Sequence, residues 1–191
     1  MKKFLLTTLT AGIFAIPAYA ALVAGTAAPL FTAQASLNGA EFTYSLQESL
    51  AKGPTVVYFY PSAYTQGCNI QAHTFAINME KFTAAGASVV GVSLDSIERL
   101  NDFSADPEYC AGKLAVASDA DGSIAASFDL MVREAPAAGF NDTRGVAIDH
   151  GFAERTTFIV GSDGKIVGTV GGQGVSPEDN VLQSLAMIES L

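Results

Sequence analysis

The sequence predicts an α/β domain built around one mixed sheet, and three features carry that prediction. Thr55 to Tyr60 and Ser88 to Leu94 are uncharged or nearly apolar runs rich in β-branched and aromatic residues. Such runs read as strands covered on both faces, as in parallel sheets. Between them, small or apolar residues fall at Ala72, Phe75, Ala76, Met79 and Phe82, which is helical spacing. Strand, helix and strand form a βαβ unit with an expected right-handed crossover. Near the end, Thr156 to Val160 and Ile166 to Val170 flank the turn Ser162-Asp163-Gly164-Lys165, an antiparallel pair followed by a helix.

The remaining elements follow in order. Residues 1–20 read as a secretory signal peptide: Lys2-Lys3, an apolar stretch from Phe4 to Ile16, then Ala18-Tyr19-Ala20 as the cleavage site. The apolar stretch is too short for a membrane span. The mature domain, 21–191, opens with a hairpin whose turn is Asn38-Gly39, reached by a strand up to Leu37 and left by Glu41 to Tyr44. Ser45 to Lys52 is a helix of one or two turns, stopped by Gly53-Pro54. Gly86 ends the long helix, and Asp95-Ser96 caps another, Ile97 to about Ala105. Leu114 to Ala117 is a short strand, and Ser123 to Leu130 a short helix. Residues 131–152 carry Pro136, Gly139, Gly145 and Gly151 and read as a long loop with some extended structure. Ser176 caps the last helix with Pro177 at its first position, and Val181, Leu182, Leu185, Ile188 and Leu191 give it an apolar face. A parallel βαβ half followed by an antiparallel ββα half is the thioredoxin-like plan, here with an N-terminal hairpin.

Composition narrows the function classes. The chain has 191 residues, 49% hydrophobic and 15% charged, which suits one domain with a full core. Removing Lys2 and Lys3 from the 10 basic residues leaves 8 against 19 acidic, a net charge of −11. Nucleic-acid binding needs the opposite sign, and no membrane span follows the leader. Gly171-Gly172-Gln173-Gly174 lacks a following Lys-Ser/Thr and is no phosphate loop. His73 and His150 stand apart, too few for a metal site. The expected location is the bacterial periplasm. In such an oxidising compartment the two cysteines, Cys68 and Cys110, form either a structural disulfide or a redox pair.

Cys68 follows a strand, a proline and a short polar loop, at the first turn of a helix. Unpaired N–H groups and the helix dipole there favour a thiolate, the form that attacks electrophiles. Pro61 fixes the chain and excludes water. Thr65 can place its hydroxyl beside the sulfur. Gly67 is expected to let the backbone turn tightly, and Tyr64 is expected at the pocket mouth.

The segment Pro61-Ser62-Ala63-Tyr64-Thr65-Gln66-Gly67-Cys68 resembles the peroxiredoxin active-site motif, Pro-x-x-x-Thr-x-x-Cys. Tyr58-Phe59-Tyr60 and Gly67 are similar to the Q-type branch of the AhpC/TSA family, the bacterioferritin comigratory proteins. Ala28-Pro29-x-Phe31, Gly91-Val92-Ser93-Leu94-Asp95 and Arg155-Thr156-Thr157-Phe158-Ile159 match as well, so the resemblance covers about residues 27–170. It implies a thioredoxin-like fold and a thiol-dependent peroxidase that reduces hydrogen peroxide and organic hydroperoxides. By this resemblance Cys68 is the peroxidatic nucleophile and passes through a sulfenic acid. Thr65 hydrogen-bonds peroxide and thiolate, and Arg155 holds the sulfur anionic. It implies no metal and no organic cofactor.

Two positions depart from the branch. Many members carry a glutamate three residues after the nucleophile, where this chain has Gln71. Many carry the resolving cysteine five residues after it, where this chain has His73, read as a surface or packing residue. Others place that cysteine in the next helix, and there Cys110 is the implied resolving residue, forming an intramolecular disulfide. The partners implied are a peroxide and a thiol reductant, either a thioredoxin-like protein or glutathione, acting on a monomer or homodimer. Two other readings compete. A thiol–disulfide oxidoreductase normally wants Cys-x-x-Cys, but Gln71 holds the second place. A non-catalytic thioredoxin-like module would keep Cys68–Cys110 as a static bond.

Overall fold

The two long apolar runs lie side by side at the centre of the sheet as β3 (Thr55–Phe59) and β4 (Ser88–Ser93), paired in parallel. The computed structural model describes residues 21–191; the expected signal peptide, residues 1–20, lies outside the described residues. Around β3 and β4 stand β1 (Thr32–Leu37), β2 (Ala40–Ser45), β5 (Ala115–Ser118), β8 (Thr156–Val160) and β9 (Ile166–Gly171). The sheet order is β2-β1-β5-β4-β3-β8-β9. The β3–β4 and β4–β5 pairs are parallel, and β8 and β9 add antiparallel on one side. The N-terminal hairpin extends the other edge through an antiparallel β1–β5 pairing. Its turn takes the left-handed conformation at both Asn38 (φ 53) and Gly39 (φ 76), the geometry that Asn-Gly adopts at low cost. This is the thioredoxin-like arrangement with the added hairpin.

The helices are α1 (Leu46–Leu50), α2 (Gln66–Ala84), α3 (Ile97–Ala105), α4 (Ser123–Ser127) and α5 (Pro177–Glu189). They cover both faces, which is why β3 shows no polar alternation. Val56, Tyr58 and Tyr60 join the cluster under α2, α3 and α5. Val57 and Phe59 join the cluster under α1 and α4. On the first face Phe75 and Phe82 of α2 share a core with Val181, Leu185 and Ile188 of α5. Full burial of each such side chain is worth roughly 1.5–3 kcal/mol. That holds α5 firmly against α2 and keeps polar residues between the two helices in register.

α2 starts at Gln66, with Thr65 in the extended N-cap conformation, so Cys68 lies in its first turn as expected. Two expectations need correction. α4 ends at Ser127 rather than Leu130, since Asp129 turns left-handed at φ 57 and breaks the ladder. Cys110 lies in no helix. It sits in the turn after α3, where Ala111 and Gly112 are both left-handed, at φ 52 and 66. Hydrogen bonds from Ala111 N–H to the Asp106 carbonyl (2.8 Å) and from Gly112 N–H to the Ser104 carbonyl (3.0 Å) close that turn. The long loop is tied at its base by a two-residue ladder, β6 (Val132–Arg133) with β7 (Phe152–Ala153).

Candidate active site

The loop from β3 to α2 is shaped by one buried carboxylate. Asp95, fully buried just past β4, accepts from Ser62 Oγ (2.7 Å), Ala63 N–H (2.7 Å) and Ser93 Oγ (2.7 Å). His150 Nε2 stands 2.9 Å from the same group, and Arg99 Nε 2.9 Å. Burial alone would raise the Asp95 carboxyl; the donors from His150, Ser62, Ser93 and Ala63 outweigh it and hold it below the ordinary carboxylate value. Burial alone would depress His150, but its bonds to Asp95 and to the Gly151 carbonyl push it up. Ser96, not Asp95, caps α3 through Arg99 N–H.

With Ser62 and Ala63 so fixed, Tyr64 makes the turn at φ 61 and Thr65 starts the helix. The long loop clamps this turn. Thr143 N–H and Thr143 Oγ both donate to the Tyr64 carbonyl, at 2.9 and 2.8 Å. The Arg144 guanidinium stacks 3.3 Å over the Tyr64 ring, and Asp142 pairs with both Arg144 and Arg99. Burial pushes the Tyr64 phenol up to about 12, against the opposing pull of Arg144.

Cys68 therefore sits in the first turn of α2, almost wholly buried at 2% exposure. The first intrahelical bond runs from Asn69 N–H to the Thr65 carbonyl, so the N–H groups of Gln66, Gly67 and Cys68 have no partner along the helix. Arg155, at the entry to β8, directs Nη2 to Cys68 Sγ at 3.2 Å and Nη1 to Gln71 Oε1. Gln71 Nε2 donates to Asn180 Oδ1 of α5 at 2.9 Å. Thr157 Oγ donates to the same oxygen at 2.6 Å, and Asn180 Nδ2 to the Val170 carbonyl at 3.1 Å.

Of the residues singled out in the sequence, Cys68 and Arg155 meet although 87 positions separate them. Thr65 is the N-cap residue, but its hydroxyl donates to the Ser62 carbonyl at 2.9 Å and not to the sulfur. Pro61 stands at the loop entrance, half-buried. Gly67 does not make the tight turn, which belongs to Tyr64. A Cβ at position 67 would lie 3.2 Å from Arg155 Nη2 and 3.6 Å from Pro177, so this glycine leaves room for the arginine. Tyr64 is buried at 2% exposure and packs on Phe103 and Tyr109 instead of standing at a mouth. Cys68 and Cys110 are both free thiols buried in one core cluster, and burial pushes the Cys110 thiol well up. His73 is exposed and bonds to the Glu108 carbonyl at 2.9 Å, tying α2 to the turn that carries Cys110. Among the described residues no group of three His, Cys, Asp or Glu side chains is placed to hold a metal ion. The buried Asp95, Asn180 and Thr157 lay outside the sequence reading of the site, since their contacts span distant segments.

A reduced cysteine at an open helix N-terminus, contacted by an arginine, on a thioredoxin-like sheet, defines a thiol-based redox enzyme. Residues 24–169 match the sequence model of the AhpC/TSA family. A putative peroxiredoxin of Mycobacterium tuberculosis is 30% identical over 124 residues, 65% of this chain and 71% of that protein. Peroxiredoxin Bcp of Escherichia coli K12 is 33% identical over 111 residues, 58% of this chain and 64% of that one. The crystal structure of peroxidoxin BcpB from Mycobacterium tuberculosis superimposes with a TM-score of 0.70 and 25% identity, covering 89% of this chain and 98% of that one. The chain belongs to the AhpC/TSA family. Its similarity falls on the bacterioferritin comigratory branch, and its activity class is that of a thiol-dependent peroxidase.

Proposed function

We propose that Cys68 is the peroxidatic nucleophile, with Arg155, Thr65 and Pro61 around it and Cys110 as its resolving partner. The observation that carries this is the 3.2 Å contact from Arg155 Nη2 to Cys68 Sγ at the open end of α2. Guanidinium and free N–H groups both favour the anionic sulfur. The thiolate attacks one peroxide oxygen in line with the O–O bond. An S–O bond forms, the O–O bond breaks, and two electrons pass from sulfur to peroxide. The leaving oxygen takes up a proton and departs as water or alcohol. Arg155 stabilises the charge as it moves from sulfur to oxygen. Thr65, its own proton committed to Ser62, is left with an acceptor for the peroxide O–H. Pro61 has no N–H to draw water into the loop.

Resolution requires the Cys110 sulfur to attack the sulfenic sulfur, releasing water and forming the disulfide. Buried as it is, Cys110 stays a neutral thiol and a poor nucleophile until its turn opens. A thiol reductant then returns both sulfurs to thiols. We extend the reading to export: cleavage after Ala20 delivers the enzyme to the periplasm, where the reductant is a thioredoxin-like protein or glutathione.

The test is the second-order rate of thiol loss in reduced protein after one equivalent of hydrogen peroxide. A fast rate abolished in Cys68→Ser is expected; loss no faster than that of a free small thiol would overturn the reading. For export, N-terminal sequencing of protein from the periplasmic fraction should begin at Ala21.

A further inference from the structure

Arg155 reaches the sulfur with one nitrogen and is held by Gln71 through the other. What fixes Gln71 is therefore part of what fixes the cation. Gln71 is fully buried, and its amide has a defined sense: the oxygen accepts from Arg155 and the nitrogen donates to Asn180. Asn180, also fully buried, has a defined sense too. Its oxygen accepts from both Gln71 and Thr157, and its nitrogen donates to the Val170 carbonyl. Flipping Gln71 would set donor against donor at Arg155, and flipping Asn180 would set donor against donor at Gln71 and acceptor against acceptor at the Val170 carbonyl. Each bond that links Val170, Asn180, Gln71, Arg155 and Cys68 thus has a fixed donor and acceptor, and the relay is neutral at every step before the guanidinium.

A carboxylate at position 71 could hold Arg155 in the same place, but it would set an anion close to the reacting sulfur. A nearby like charge disfavours the thiolate. The amide supplies the geometry without that charge. An amide facing a cation also accepts more weakly than a carboxylate does. It therefore depends more on being oriented from behind, which is the position of Asn180. Asn180 in turn is fixed by α5, whose apolar face packs into the core shared with α2.

We propose that Asn180 is a positioning residue for Cys68, acting through Gln71 on Arg155, and that the neutral relay leaves the guanidinium charge to the sulfur. The proposal rests on the reading of Cys68 as nucleophile and Arg155 as its cation. It predicts three results in single-turnover reactions with hydrogen peroxide followed across pH. Asn180→Ala lowers the plateau rate about tenfold, as loss of the neutral bond that orients Gln71 toward Arg155 requires. Thr157→Val, which keeps the side-chain shape, lowers it roughly twofold to threefold, as loss of one neutral bond behind the relay requires. Gln71→Glu moves the pH midpoint of the rate upward, because the new anion opposes the thiolate.

Thermal melts on the same samples separate positioning from packing. A packing role alone would lower the melting temperature of Asn180→Ala and Thr157→Val. It would leave rate and pH midpoint, per folded molecule, at wild-type values, and that outcome overturns the proposal. If Asn180→Ala does not fold, Thr157→Val and Gln71→Glu carry the test, and wild-type profiles in both overturn it. Cys68→Ser and Arg155→Met are the controls. Full activity in either would sink the underlying reading of the site. Loss of activity in both, with unchanged profiles in the relay variants, would sink the relay alone.

Discussion

Replacing Asp95 by asparagine removes the charge on which the active-site loop converges. Oδ2 accepts from Ala63 N–H and Ser93 Oγ; Oδ1 accepts from Ser62 Oγ and faces His150 and Arg99. The new amide nitrogen is least costly at the Oδ2 position. There the Ser93 hydroxyl can rotate to accept, but the Ala63 N–H cannot. One buried donor is left unpaired, at about 1–3 kcal/mol. His150 and Arg99 also lose their buried anion, so the total comes to roughly 3–5 kcal/mol. For a domain of this size that lowers the melting temperature by roughly 6–20 °C. The pH dependence has a sign. Asp95 is held below its ordinary value of 3.8, so its contribution is present above that value and lost as pH falls through the depressed one. His150 is raised above 6.5, so its contribution is full below 6.5 and lost as pH rises through the raised value. Circular-dichroism melts of wild type and Asp95→Asn should therefore differ most between about pH 4 and 6.5. A melting temperature within ~2 °C of wild type, or a gap that stays flat from acid to alkaline pH, would show that the Asp95 charge does not anchor the loop.

Two further substitutions probe the sulfur's surroundings. Arg155→Met should lower the second-order rate with hydrogen peroxide roughly 100- to 1000-fold, and Arg155→Lys should restore little of it, because an ammonium does not reproduce the two-point hold. A rate within a few-fold of wild type in Arg155→Met would show that the guanidinium does no chemistry. Gly67→Ala should separate stability from activity. Alanine favours the helix by about 0.5–1 kcal/mol over glycine, yet its Cβ displaces the guanidinium, 3.2 Å away. Unfolding in denaturant should show equal or higher stability while the peroxide rate falls several-fold; an unchanged rate would mean that Arg155 moves aside freely.

The fold was largely legible because its signals are local. Asn38-Gly39 supplies a hairpin turn that few other pairs make, Ser176-Pro177 starts α5, and the uncharged β3 announces a strand covered on both sides. The Pro61 to Cys68 spacing and the Arg155 segment pointed to the pair that meets at 3.2 Å. What escaped the sequence is the buried polar framework behind that pair. Gln71 and Asn180 are 109 positions apart, and Asp95 and His150 are 55 apart. Hydrogen bonds between such residues leave no periodic trace. Asp95 also sits where a helix cap belongs, which masks its inward role. The tight turn expected of Gly67 falls to Tyr64, left-handed and clamped by Thr143 and Arg144, while the glycine clears space for Arg155. Cys110 lies in a turn because two consecutive left-handed residues follow it, at Ala111 and Gly112.

The central claim is that Cys68 takes the oxygen and Cys110 clears it. It is tested most directly in Cys110→Ser protein, reduced and then treated with one equivalent of hydrogen peroxide, by mapping the added oxygen with peptide mass spectrometry. The account predicts a single oxygen on the peptide that carries Cys68, trapped by a sulfenic-acid reagent, while wild type under the same treatment yields the Cys68–Cys110 disulfide. Oxygen on another residue, or the same trapped sulfenic acid in wild type with no disulfide, would contradict it.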